Sequence, residues 1–391
     1  MTLANDAPKV IVTGIRYRHS LLVMEHLAKL GFQIIGMDSI PFPLGRFSRY
    51  CHQFVTYPLD HQAMVDRITT VAKAEMASYL VPTFNETQVF CQHQLRLIQA
   101  GIQTLFPDPD VMALADKKDG LTQLAGELGC RVPESWMPKN LDEIKQIKNQ
   151  LPYPVIVKPI IGKAGEGQYI AENSEELLKG YRSETRYIVQ QYVLGYPAGV
   201  AMMLDQGVQQ VHFSFKVNQC LDGVHSVDRE AVELPEAVNQ AEKVLAYLHW
   251  HGLAQVDFII EQETGHAYML EVNPRFWGSL NLALKAGKNF PKFYGQMLLQ
   301  RPLEAETQRP ARTIWFLPWL MAQVKFILGK HTALKFFNPF STDTFIDEWH
   351  WRDPVPMLIE PWLGLAQWLR TGSIRLSKSQ PTPTQSRSGG G

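Results

Sequence analysis

Gly265-His266-Ala267-Tyr268-Met269-Leu270-Glu271-Val272-Asn273-Pro274-Arg275 decides how this chain is read. Upstream stands Leu253-Ala254-Gln255-Val256-Asp257-Phe258-Ile259-Ile260. Both are apolar runs that predict strands, joined by a turn over residues 261–265. A hairpin of that length predicts antiparallel pairing, which lets Asp257, Glu271 and Asn273 meet on one face. Glu271 and Asn273 are two apart, so in a strand they point the same way. Three hard oxygen ligands beside Arg275 suit Mg²⁺ carrying phosphate oxygens. Taken alone, the pattern equally fits a half-buried hairpin whose polar residues face water.

Pro154-Val155-Ile156-Val157-Lys158-Pro159 is a second apolar run, with a lysine near its end. The loop Gly162-Lys163-Ala164-Gly165-Glu166-Gly167 follows, then Tyr169-Ile170-Ala171. A flexible loop between two strands can fold over a polyphosphate, its backbone N–H groups and lysine supplying donors. The spacing is not that of a P-loop, because no helix opening on Lys-Ser/Thr follows the glycines. Tyr187-Ile188-Val189-Gln190-Gln191-Tyr192-Val193-Leu194-Gly195 predicts a strand running into a bend. The order is lysine, glycine loop, bent strand, then Asp…Glu-x-Asn-Pro-Arg. That order is far more specific than any of its parts.

In this order of motifs the chain resembles the ATP-grasp superfamily, and within it the carbamoyl-phosphate-synthetase-like branch. The resemblance covers about residues 107–300 strongly and residues 8–106 moderately. Glu271-Val272-Asn273-Pro274-Arg275-Phe276-Trp277-Gly278-Ser279 is its most specific part. It implies an α/β N-terminal domain with a parallel sheet (pre-ATP-grasp), followed by an α+β ATP-grasp fold of two subdomains. The implied activity is that of an ADP-forming ligase. It phosphorylates a carboxylate or similar oxygen acid of a small molecule and joins it to an amine or amino acid. ATP and Mg²⁺ are the implied cofactors, with Mn²⁺ as a substitute ion.

The resemblance also assigns roles. Lys117 is implied as the first phosphate-binding lysine and Lys158 as the second. The loop carrying Gly162, Gly165 and Gly167 is implied as a lid over the triphosphate. Gln190 stands where a residue accepts from the adenine 6-amino group, and Gln191 and Val193 would bond adenine through their backbone. Asp257, Glu271 and Asn273 would hold the metal, and Arg275 would face the transferred phosphoryl group. Lys216 and Arg229 fall where related sequences carry basic residues. There are two departures. The position that often carries a ribose-binding Glu is Pro197, which has no side-chain acceptor. Gln190 is commonly Glu, and an amide both donates and accepts, so Gln190 by itself leaves adenine and guanine open. Two other readings remain. One is activation of an enol or cyclohexenone oxygen followed by glycine addition, as in a mycosporine-glycine synthetase-like ligase. The other is a non-catalytic nucleotide-binding protein.

The rest of the chain is consistent with a soluble enzyme. Its 391 residues suffice for two or three domains. Lys plus Arg and Asp plus Glu each number 38, so no bulk charge draws the chain to nucleic acid. Cys51, Cys91, Cys130 and Cys220 show no Cys-x-x-Cys spacing, and no basic-then-apolar leader opens the chain. Both point to the cytoplasm. Residues 9–38 alternate strand, helix, strand, which predicts a parallel βαβ unit. Gly14-x-Arg16-x-Arg18 lacks the spaced glycines of a dinucleotide fingerprint. Arg16, Arg18, Asn85 and Glu86 lie at expected strand ends and are candidate substrate contacts. His212, His225, His249 and His251 read as structural or surface residues. The expected domains are 1–106, 107–305, a Trp-rich region 306–376 packed on the core, and a disordered tail 377–391. The run from Ile314 to Leu328 is too short and interrupted to span a membrane. A peripheral membrane contact or a homodimer interface is the alternative to packing on the core.

Overall fold

The computed structural model describes residues 7–160, 167–182, 185–221, 225–304, 306–316, 318–320, 343–347 and 351–371. Gly162 and Gly165, most of the run to Leu328, and the tail 377–391 lie outside these residues. The chain divides into two compact units, residues 1–104 with 349–391, and residues 105–348.

The first unit carries four parallel strands: β1 (Lys9–Thr13), β2 (Gln33–Asp38), β3 (Cys51–Thr56) and β4 (Tyr79–Pro82), in the order β3-β2-β1-β4. Val10, Ile11, Val12, Ile34, Met37, Leu80 and Val81 are wholly buried. Continuous apolar runs of this kind are what a sheet covered on both faces requires. The order reverses between β1 and β4, and polar side chains gather at the strand ends there. Arg16 and Asp38 form a buried pair: Arg16 Nε donates to Asp38 Oδ1 at 2.9 Å, and the Arg16 backbone N–H donates to Oδ2 at 2.9 Å. Thr13 Oγ1 donates to the buried Glu86 at 2.9 Å. Gly14 between them has φ +68°, and a Cβ there would lie 2.4 Å from Glu86 Oε1. Only glycine meets both demands. Arg18 pairs with Glu360 at 2.8 Å. Of the four candidate substrate contacts, Arg16, Arg18 and Glu86 therefore have protein partners.

The second unit holds two sheets. The smaller has β5 (Ser135–Trp136), β6 (Val155–Pro159), β7 (Tyr169–Ala171) and β8 (Tyr187–Gln191), in the order β5-β8-β6-β7. The larger has β9 (Gly195–Asp205), β10 (Val208–Leu221), β11 (His225–Ala231), β12 (Gly252–Glu261), β13 (Ala267–Asn273), β14 (Arg312–Ile314) and β15 (Thr344–Ile346). Its order is β13-β12-β9-β10-β11-β14-β15. The region 306–376, expected as one piece, is divided: β14 and β15 belong to the second unit, and the helix Pro354–Thr371 is grouped with the first. On that segment Trp351 is 83% and Trp362 70% exposed, so neither is a core tryptophan. No helix among the described residues is long and apolar enough to cross a membrane.

Candidate active site

The β12–β13 hairpin forms as its sequence suggests. Val256, Phe258 and Ile260 of β12 and Ala267, Met269 and Val272 of β13 are buried, which drives the two runs together. Asp257 pairs with Glu271 and Gln255 with Asn273 in an antiparallel register. Directly paired residues share a face, so the three implied metal ligands meet. Asn273 Nδ2 donates to Asp257 Oδ2 at 3.0 Å and to Glu271 Oε1 at 3.4 Å. Arg275 Nη2 donates to Asn273 Oδ1 at 3.1 Å, and its Nη1 to the Phe276 carbonyl at 3.2 Å. Sequence reasoning missed a fifth member. Gln255 Nε2 donates to Asp257 Oδ1 at 2.6 Å, and Gln255 Oε1 accepts from Asn273 at 3.2 Å. Its signal was available, because Gln255 lies two positions before Asp257 on the same strand.

Burial, with the charge of Glu271 beside it, pushes the Asp257 carboxyl up to about 7, against which Gln255 and Arg275 act. Two half-buried carboxylates facing each other repel, which disfavours charge on both at once. The donor set thus fits a divalent cation: two carboxylates and an amide of hard oxygen character, with charge that a cation would neutralise. The Asn273 amide nitrogen now donates into the space between those carboxylates.

On the larger sheet the row continues from Asp257 to Gly199 of β9 and Phe215 of β10. A Cβ on Gly199 would lie 2.5 Å from the Phe215 ring. Lys216 pairs with Ala198, so it points to the opposite face from Asp257, where it bonds Glu230 at 3.1 Å. The structure therefore takes Lys216 out of the expected catalytic set. Arg229 pairs with Val217 and shares the Asp257 face, but its guanidinium is engaged. Its Nε donates to Ser226 Oγ at 2.7 Å, Nη1 to Asp347 at 3.0 Å, and Nη2 to the Ser226 carbonyl.

In the smaller sheet, Val155, Val157, Tyr187 and Val189 face a core with Ile144 and Leu177 of two flanking helices. Alternation places Ile156, Lys158, Ile188 and Gln190 on the other face. Burial lowers the Lys158 ammonium, Glu271 and Asp257 raise it, and Lys118 lowers it. Lys158 is thus within the field of both hairpin carboxylates and of Lys118. Lys118 is the first residue of the helix Lys118–Glu127. Lys117 is the exposed cap residue before it. Gln190 is 4% exposed, and its Nε2 donates to Ser135 Oγ at 2.9 Å. The Gln191 N–H is committed to the Glu134 carbonyl at 2.8 Å, which removes it as a donor to a base. Val193 donates to nothing among the described residues. Gly167 is described, with φ +74°. Pro197 sits in β9 opposite Ile259.

Residues 114–279 match the family described as an ATP-grasp domain. The chain is 24% identical over 282 residues to the carbamoyl phosphate synthase large chain of Halomonas eurihalina. That alignment covers 66% of this chain and 26% of the relative, so the chain spans about a quarter of that protein's length. Among solved structures, N5-carboxyaminoimidazole synthetase of Staphylococcus aureus complexed with ADP superimposes with a TM-score of 0.66 at 16% identity. It covers 83% of this chain and 86% of that one. An L-amino acid ligase of Bacillus licheniformis gives 0.62 at 17% identity, over 76% and 75% of the two chains. Hairpin, lysines and paired sheets together with these matches identify residues 114–279 as an ATP-grasp domain of the ATP-grasp superfamily.

Proposed function

We propose that the chain is an ADP-forming ligase. It activates the carboxylate of a small molecule with ATP and joins it to an amine or amino acid. The observation that carries this reading is the half-buried, directly paired carboxylates Asp257 and Glu271, with Asp257 pushed up to about 7, within the field of Lys158. Such a site is built for a cation and a polyphosphate. A divalent cation bound there would neutralise phosphate charge. Lys158 and Lys118 would hold phosphate oxygens, and Arg275 would stabilise charge on the transferred group. Gln255 would fix Asp257 in place. The acid's oxygen attacks the γ-phosphorus, the bond to the bridging oxygen breaks, and ADP leaves. The amine then attacks the activated carbon, phosphate departs, and the amine nitrogen gives up a proton. The N5-carboxyaminoimidazole synthetase and L-amino acid ligase names support this class by analogy of fold.

The test has two stages. ADP release is measured across pooled carboxylic acids and amines to find a working pair. The acid is then labelled with oxygen-18 at the reacting oxygen, and one label is expected in the released phosphate. Label in AMP would mean adenylation and would overturn the proposal.

A further inference from the structure

We propose that Ser135 sets the base preference of the nucleotide site, by holding the Gln190 amide in one orientation. The inference rests on the nucleotide-binding reading above. Ser135 and Gln190 face each other in the β5–β8 register. The Ser135 hydroxyl donates to the Pro133 carbonyl at 2.7 Å. With its proton spent, that hydroxyl can only accept from Gln190, and Gln190 Nε2 donates to it at 2.9 Å. Turning the amide over would set Oε1 against the hydroxyl oxygen and force Ser135 to abandon Pro133. The ambiguity of a glutamine is thus removed by its neighbour, and Oε1 is the atom left to meet a base.

Oε1 accepts, and the N–H of Val193, three residues on, donates to nothing among the described residues. Adenine offers the complement, a 6-amino donor beside the N1 acceptor. Guanine offers the reverse, an O6 acceptor beside the N1–H donor. Both contacts then oppose guanine, and the first depends on Ser135. Freed from Ser135, the amide could turn and donate to O6, while Val193 would still oppose N1–H. Preference for adenine should fall without vanishing.

The experiment measures ADP and GDP affinity of the full chain, with Mg²⁺, by calorimetry. Wild type, Ser135→Ala and Ser135→Thr are compared as ratios, so a general loss of affinity cancels. Wild type should favour ADP. In Ser135→Ala the ratio should shrink roughly fivefold, the effect of one neutral hydrogen bond, with GDP gaining. Ser135→Thr, which keeps the hydroxyl, should restore it. In a Gln190→Glu background, whose carboxylate only accepts, Ser135→Ala should leave the ratio unchanged. A ratio that shrinks as much in that background would mean Ser135 acts otherwise than through the amide and would overturn the proposal; where Ser135→Ala folds poorly, Ser135→Gly against Ser135→Thr gives the same comparison. An unchanged ratio in a folded Ser135→Ala overturns the proposal alone. Wild type that binds neither nucleotide overturns the nucleotide site as well.

Discussion

Replacing Asp257 by Asn should stabilise the metal-free protein, and the gain should depend on pH. Asp257 binds its proton more tightly in the folded chain, at about 7, than at the ordinary 3.8 of an unfolded chain. The folded form therefore loses ground as pH rises above about 4, and the loss is complete once pH passes about 7. At about 1.4 kcal/mol per unit, the full penalty is about 4 kcal/mol. Roughly 1–2 kcal/mol of it is present at pH 5, so about 2–3 kcal/mol accrues between pH 5 and pH 8. Asparagine mimics the neutral acid. Its oxygen can accept from Gln255 as Asp257 Oδ1 does, and its nitrogen can donate to Glu271 once the Asn273 amide, which donates to Asp257 Oδ2 in the wild type, turns away; that lost bond is the same at every pH. The assay is hydrogen exchange of peptides covering β12 and β13 in chelator, corrected for intrinsic rates. The variant should be protected over wild type by a margin that grows roughly 30–150-fold from pH 5 to pH 8. Adding Mg²⁺ should protect wild type and not the variant. A margin equal at the two pH values would refute the electrostatic account of this hairpin.

Three further outcomes are expected. Glu271→Gln should lower kcat by roughly 10²–10³ with nucleotide still bound, as for loss of one stabiliser of transition-state charge; wild-type turnover would exclude Glu271 from the site. Lys118→Met should weaken ATP binding by roughly 10-fold or more, the effect of a charged hydrogen bond, while Lys117→Met changes it little; equilibrium titration of both would expose the opposite order. In the first unit, burial raises the Glu86 carboxyl above its ordinary 4.5. The folded state thus pays increasingly as pH climbs from that value, and Glu86→Gln should raise the melting temperature more at pH 8 than at pH 5. A gain independent of pH would deny that Glu86 is the cause.

Much of the hairpin was legible because its logic is local. Period-two alternation places Glu271 and Asn273 on one face, the hairpin brings Asp257 to it, and the register agrees. The small sheet was legible for the same reason, with Lys158 and Gln190 on the face away from the helices. What escaped depends on phase or on distant partners. Lys117 and Lys118 are adjacent and chemically identical, and only the start of the helix Lys118–Glu127 separates the exposed cap residue from the one within the field of Lys158. The face of Lys216 follows from its pairing with Ala198, a partner across a strand turn whose register no motif announces. Arg229 falls where related sequences carry a basic residue, and its partner Asp347 lies far along the chain, out of reach of any local pattern. The Trp-rich region looked continuous because composition carries no information about which unit a segment joins.

The bare backbone of Gly199 bears on how this site can change over evolutionary time. A single methyl at that position would press on the Phe215 ring at 2.5 Å and on Gln255 Nε2 at 3.1 Å. That nitrogen is the same atom that steadies Asp257. The glycine is a spacer whose thinness keeps an aromatic wall and an acidic pocket in step. Substitutions across the row are therefore unequal in kind. On β13 the site can trade one polar group for another and keep its dimensions. At Gly199 added volume has to displace the Phe215 ring and crowd Gln255, so change at this site is steered toward the strands on either side of Gly199.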